Sequence, residues 1–378
     1  MSETPSAYSP TIPNLQIAWD STSLRALMFC PRSYQYGIID GWRGSAVDLE
    51  FGIYFATATE VYAKGRLSGL SKSKATLAAV QRVTEDSWLD IGVPTDFGYG
   101  VSEGRPWGGV YEPQWRCTGT TKYRNSKGNA AKCPYSHKGK WFPGEGPSTC
   151  GICHSETHSE RRYVPFDKIK NRESLIRLVA WYCEEQPEEL GGVGLSPYAF
   201  PDGTPAVELS FKLPLPFNTP DGQPYILAGH MDSIKTFGPI EAFVADNKTT
   251  KSFLGPLYWK QYSPNIQVDT YDLAGSLLFP DLNLKGVAIE AAQTMVGGAK
   301  FATQVFYRTE AQREETLSEI GWWIKQAERF AADNYWPMNK TNCKMCNFNS
   351  ICSKDPAQRE RYLKADFVQK RWNPLEER

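Results

Sequence analysis

The sequence has no surplus of either charge: 42 basic residues face 42 acidic ones, and the net charge is zero. Proteins that grip nucleic acid through their overall charge carry a basic excess. The balance therefore excludes a uniformly basic binder and leaves room only for a local basic cleft. No apolar run approaches the roughly 20 residues that a membrane-spanning helix needs, so no membrane partner is expected. Residues 1–15 are rich in Ser, Pro and Thr and lack a basic segment followed by an apolar core. They read as a short flexible tail rather than a secretory signal, and the expected compartment is the cytoplasm. There is no G-x-x-x-x-G-K-[ST] ATP-binding loop, so any unwinding of a duplex would come from a partner. There is no internal repeat.

What is present suffices for a sizeable core, since 41% of the 378 residues are hydrophobic. Apolar spacing predicts helices over residues 21–39, 48–67 and 172–185. Residues 98–162 change texture to Gly, Lys, Ser, Cys and His with little periodicity, as in an insertion too polar to fold on apolar burial alone. Strand patterning follows over 206–213, 225–235 and 239–248, then a helix over 265–278, strands over 286–294 and 302–307, and a long amphipathic helix over 310–334. Three strands, a helix and further strands, with helices before and after, predict an α/β fold with a mixed central sheet.

One group of polar residues in this pattern either carries chemistry or, on its Asp-x-Lys motif alone, is a solvated turn. Period-two alternation puts Ile226, Ala228, His230, Asp232 and Ile234 on one face of a strand. The next strand puts Val244, Asp246 and Lys248 on one face, and Glu208 lies on the strand before. Two carboxylates and a lysine thus stand at the ends of adjacent strands. Phosphodiester hydrolysis needs such a group, because carboxylates hold divalent cations that activate water and a lysine neutralises developing charge. Gln267 and Tyr271 lie four residues apart on the following helix and share a face. His230 is either a hydrogen-bonded histidine or an additional metal ligand.

Eight of the nine cysteines fall into two sets; Cys183, in an apolar helical stretch, reads as a packed core thiol. Cys343, Cys346 and Cys352 form C-x2-C-x5-C in a polar segment, and Cys30 supplies a fourth thiolate. Four cysteines hold either a [4Fe–4S] cluster or zinc, and spacing does not choose. Cys117, Cys133, Cys150 and Cys153 lie in the insertion and suit a four-thiolate zinc site. In a variant, His137 joins Cys133, Cys150 and Cys153 and leaves Cys117 free; in the plainest reading all four are unliganded thiols. The basic residues Lys122, Arg124, Lys127, Lys132, Lys138 and Lys140 either track a DNA backbone or are solvated loop charges.

The ordered set Glu208, Gly229-x-x-Asp232, Asp246-x-Lys248 and Gln267-x-x-x-Tyr271 resembles the RecB-like branch of the PD-(D/E)XK nucleases, which includes CRISPR adaptation nucleases and phage exonucleases. The resemblance implies a restriction-endonuclease-like core in which Asp232 and Asp246 bind magnesium or manganese and Lys248 is the catalytic lysine. Gln267 and Tyr271 match the family's Gln/Tyr helix motif beside the site. Gly52-x-x-x-Ala56-x-x-x-Glu60 resembles the family's Gly-x-x-x-His-x-x-x-Glu helix, with Glu60 as a metal ligand and Ala56 where histidine is common. One cysteine near the start and three near the end also resemble the iron–sulfur members, which favours a [4Fe–4S] cluster on Cys30, Cys343, Cys346 and Cys352. Such a clamp joins regions roughly 300 residues apart and contributes directly to folding.

The implied organisation is a tail (1–15), a helical region carrying Cys30 (16–97), a cysteine- and histidine-rich insertion (98–165), a nuclease core (166–309) and a C-terminal helix with the clamp (310–378). The expected function is a metal-dependent exonuclease acting on DNA ends with single-strand preference, in recombination, repair or phage DNA processing. Its location would be cytoplasmic, including host cytoplasm if phage-encoded, with a recombinase, helicase or integrase as protein partner. Ala56 also keeps open a weakly catalytic end-processing subunit of a larger complex. An iron–sulfur redox protein, the third reading, would not depend on Asp232, Asp246 or Lys248.

Overall fold

The structure, a computed structural model, describes residues 6–44, 47–88, 94–95, 98–99, 109–119, 123–136, 141–165, 167–190, 194–238 and 241–376. The chain divides into two compact units, one formed by Met1–Val83 with Ser174–Arg378 and the other by Thr84–Glu173. The main helices are α1 (Ser21–Phe29), α2 (Val47–Leu67), α3 (Lys72–Trp88), α4 (Arg172–Glu185), α5 (Ile266–Leu278) and α6 (Glu310–Ala332). No helix among the described residues is long and apolar enough to cross a membrane.

The larger unit is built on a seven-stranded mixed sheet: β1 (Ala18–Trp19), β2 (Leu195–Pro197), β3 (Val207–Asn218), β4 (Pro224–Phe237), β5 (Glu241–Thr250), β6 (Leu284–Met295) and β7 (Gly298–Phe306). The central strand is β4. One of its edges takes β3 and then β2, both antiparallel. Its other edge takes β1 in parallel at Ile226 and Leu227, then β5 antiparallel from Ser233 onward. The sheet continues through β6, parallel to β5, to β7, antiparallel to β6. A mixed sheet flanked by helices is the expected fold class, consistent with a restriction-endonuclease-like core.

Helices α5 and α6 join Val244, Val287 and Ile289 of the sheet in the main core, through Val268 and Ala274 of α5 and Ile320 and Ile324 of α6. Helix α5 starts where Asn265 accepts the amides of Gln267 and Val268. Helix α6 starts at a Thr309/Gln312 capping box. Helix α2 runs along β2, β3 and β5. A Cβ added at Gly52 would lie 3.7 Å from Thr249 Oγ1, which marks how close α2 comes to the end of β5.

Two expectations are corrected, and one helix was missed. The helix foreseen over 21–39 breaks at Cys30, which is extended at φ −168° and ψ 117°. Proline disfavours helical backbone in the residue before it, so Pro31 ends α1 and begins a short helix, Pro31–Tyr34, followed by a π-turn over Gln35–Ile39. Residues 6–15 are not a loose tail: Ala7, Tyr8 and Leu15 are buried. The Tyr8 hydroxyl donates to the carbonyls of Ile38 and Trp372. Helix α3 was not foreseen, because its buried stripe consists of the small residues Ala75, Ala79 and Val83.

The smaller unit is more regular than its composition suggests. Strands Gly109–Cys117 and Thr157–Pro165 pair antiparallel, and Phe142–Pro143 pairs with the first of them. Trp115, Tyr135 and Phe142 pack together, with ring centroids 4.9–5.9 Å apart.

Candidate functional site

The candidate active site forms where the sheet opens. The β4–β5 ladder ends at the Ser233–Ala245 pair, one residue before Asp232 and Asp246. On that edge of β4, residues 228 to 232 pair with no strand among those described. The opening is filled by side chains. Asn247 N donates to Asp232 Oδ2 at 2.8 Å. The Tyr271 hydroxyl donates to the His230 carbonyl at 2.6 Å. Gln267 Nε2 bridges Tyr271 Oη and Asp246 Oδ1, 3.3 Å from each. Lys248 Nζ stands 2.6 Å from Asp246 Oδ2. The structure thus brings Asp232, Asp246, Lys248, Gln267 and Tyr271 into one connected group.

Electrostatics in this group are those of crowded carboxylates. Burial, then the Asp246 charge, pushes Asp232 up to about 7, against the pull of Lys248 and the Asn247 amide; Glu208 adds to the rise. Burial works against the Lys248 ammonium, yet Asp246 and Asp232 outweigh it and raise its pKa.

Glu60, Glu208 and Asp232 line one cavity of about 20 Å³ between α2 and the sheet, with Ala56, Ser233, Lys235 and Asn247. Glu208 sits at φ +52°, a left-handed conformation uncommon for a strand residue. Glu60 also pairs with Lys64 one turn along α2. Ser233 Oγ and Asn247 Oδ1 are buried without a hydrogen-bond partner among the described residues. A cavity of this size holds about one water or ion. Its oxygen-only donors suit a hard cation such as magnesium or manganese. His230 is not among the residues that line this cavity, and its Nδ1 lies 2.8 Å from Ser210 Oγ.

Three groups of participants, six residues in all, escaped the sequence reading. Asn247 acts through its main-chain amide, which no residue type announces. Tyr258 and Tyr262, with hydroxyls 3.1 Å apart, both feel the charge of Asp246. Lys235 and Glu290 form a buried ion pair at 2.5 Å with Tyr182 3.0 Å from the amine, and Lys235 and Tyr182 line the cavity. A lysine and a glutamate inside otherwise apolar strands were the available signal.

In the smaller unit, Cys117, Cys133, Cys150 and Cys153 are buried with all four sulfurs within 4.8 Å of one another. Cys117 and Cys153 are 3.3 Å apart, and Cys133 and Cys150 3.7 Å. Thiolates on a zinc tetrahedron with bonds of 2.3 Å lie about 3.8 Å apart, so this donor set fits one zinc ion. Cys117 belongs to the group, which disfavours its replacement by His137; His137, Lys122, Lys138 and Lys140 lie outside the described residues.

The terminal cysteines are close but more open. Asn339 N donates to Cys30 Sγ at 3.3 Å, and the Asn339 carbonyl lies 3.8 Å from Cys343 Sγ. Burial raises the Cys352 thiol pKa, and Cys346 and Cys30 add to the rise. Cys183 is a buried core thiol pushed up to about 12 by burial.

The family model of the PD-(D/E)XK nuclease superfamily matches residues 157–353, and the chain belongs to that superfamily. The match takes in Asp232, Asp246, Lys248, Gln267, Tyr271 and the three C-terminal cysteines, and leaves out Cys30 and Glu60. No curated protein matches the chain. One similar solved structure is described as "Crystal structure of SSO0001", with 19% identity and a TM-score of 0.21 over 39% of this chain and 58% of that chain. The chain thus spans less than two thirds of that protein.

Proposed function

We propose, from this membership, that the chain is a metal-dependent DNA nuclease that trims DNA ends as an exonuclease, with preference for single strands. The observation that carries the reading is the chain of contacts from Lys248 through Asp246 and Gln267 to Tyr271, at the point where β4 and β5 part. Asp232 and Asp246 would hold the cation, with Glu208 and Glu60 in the cavity that Asp232 lines. Bound magnesium or manganese polarises a phosphoryl oxygen and lowers the pKa of the attacking water. Lys248 orients that water and offsets charge on the phosphate. Gln267 holds Asp246 in place, and Tyr271 holds Gln267 and the open edge of β4.

In the same reading, Cys30, Cys343, Cys346 and Cys352 hold a [4Fe–4S] cluster as a structural clamp. Cys30 and the other three are far apart in sequence, so a cluster held by them would tie the two regions together. The inserted four cysteines hold zinc. A weakly catalytic end-processing subunit is the second reading; the observation favouring it is Ala56, which offers the cavity no donor.

The test is a time course of product lengths on single-stranded and duplex DNA labelled at either end, with magnesium, with manganese and with a chelator. Products shortening stepwise from an end, only with metal, are expected. Metal-independent cleavage, or none with either metal, would remove the proposal.

A further inference from the structure

We infer that the cysteine-bearing unit, Thr84–Glu173, is a single-stranded DNA-binding module whose stacking platform is Trp141. This rests on the reading of the chain as acting on DNA.

The inference starts from the two faces of the small sheet. Strand pairing sets Arg116 opposite His158, Gln114 opposite Glu160 and Glu112 opposite Arg162, all on one face. The alternate residue Trp115 packs on the other face with Tyr135 and Phe142. That second face is the unit's apolar filling. On the first face, among the described residues, half-exposed Trp141 gathers Arg116, Arg162 and His158 around its ring.

The Arg162 guanidinium lies 4.4 Å from the Trp141 ring centroid and that of Arg116 lies 5.0 Å from it. The His158 ring stands 5.8 Å away, edge-on. Glu160 lies 3.6 Å from Arg162 and 3.4 Å from His158, and with Glu112 opposite Arg162 two carboxylates share the face with the two guanidiniums. Single cation–π pairs are ordinary, about one per 70–80 residues. Two guanidiniums on one half-exposed indole is a denser arrangement. It brings together the two kinds of group that sequence-tolerant single-strand binding uses, an aromatic ring and cations for the backbone, and a base would stack on whatever ring surface the guanidiniums leave or vacate.

Charge distribution gives the second support. From Gln114 to Phe142 the sequence carries seven basic residues and no acidic one, in a chain whose total is neutral. The cysteine group supplies rigidity: four buried thiols within 4.8 Å join the strand end at Cys117 to the turn at Cys150 and Cys153. An occupant that is anionic and offers flat apolar rings fits this face, and unpaired nucleotides have both. A duplex offers the charge but keeps its rings stacked inside.

The experiment uses the full chain with its zinc, in an Asp246→Asn background to prevent cleavage, binding a fluorescent 20-residue oligothymidylate followed by anisotropy. Trp141→Ala should weaken binding about tenfold or more, and Trp141→Phe should stay within about threefold of the parent. Arg116→Gln with Arg162→Gln should lower the salt slope of log K by about 1.4. Zinc content, unchanged in each variant, shows that the unit is folded. Binding of Trp141→Ala within twofold of the parent overturns the inference. So does an equal loss on a duplex of the same length, or no single-strand binding by the parent. A parent that binds through Trp141 but never cleaves DNA in its unsubstituted form supports the module while removing the nuclease reading.

Discussion

Tyr271 Oη donates to the main-chain carbonyl of His230 at 2.6 Å, across the stretch of β4 that neither β1 nor β5 reaches. The bond satisfies a carbonyl that the opening of the sheet would otherwise leave without a ladder partner. It also fixes α5 over the middle of β4, where Asp232 lies and neither β1 nor β5 pairs, and so couples the Gln267–Tyr271 pair to the carboxylates.

Tyr271→Phe should therefore lower stability by about 1–3 kcal/mol, the cost of a buried carbonyl left without its donor. Urea unfolding measures it. Cleavage should fall as well, since Gln267 loses one of its two contacts. A variant as stable and active as the parent would show that the bond is incidental.

Asp246→Asn and Lys248→Met should each reduce metal-dependent cleavage by about 10²–10³-fold, as for loss of a preorganised charge stabiliser worth ~2.7–4 kcal/mol. Circular dichroism should show the fold retained. Because Lys248 holds down the pKa of Asp232, Lys248→Met should also move the Asp232 titration further up. Turnover within about tenfold of the parent for both variants would remove these residues from the chemistry.

The Asp232 carboxyl is pushed from its ordinary 3.8 up to about 7. Between those values the unfolded chain has lost a proton that the folded chain keeps. Stability of the metal-free protein should therefore fall as pH rises from about 4 to about 7 and level off above. Asp232→Asn should flatten that slope. A cation competes with the same proton, so manganese affinity should rise through this window. Calorimetric titration across pH 5.5–8.5 checks both the affinity and the released proton; affinity independent of pH would count against Asp232 as a ligand.

Two metals should be separable by chemistry. Protein purified without oxygen should carry about four iron atoms per chain if the cluster is a cubane, plus one zinc. Cys150→Ser should remove the zinc and leave the visible iron–sulfur absorbance. Cys30→Ala should remove iron as fully as Cys346→Ala, although Cys30 is remote from it in sequence. Iron retained in Cys30→Ala would break the clamp, and iron without zinc would break the inserted site.

Helix α4 has the bounds expected from the sequence, and β4 and α5 fall within two residues of theirs. Their apolar periods report directly which face must leave water, and that requirement is local. The Asp232, Asp246 and Lys248 positions were legible for the same reason: each interrupts an apolar alternation, the two carboxylates within their strands and Lys248 near the end of its own. The break at Cys30 was also written locally, in Pro31, though the helical spacing around it concealed the effect. Only the tertiary structure decided where β4 and β5 part, because a ladder ends through the packing of α5 and not through any residue in either strand. It alone brought the Asn247 amide to Asp232, since every residue but proline has such a donor. It alone buried Lys235 against Glu290, and closed Cys117 and Cys133 onto Cys150 and Cys153. Contacts between residues far apart in sequence depend on chain closure around a core, and closure leaves no periodic mark on the residues it brings together.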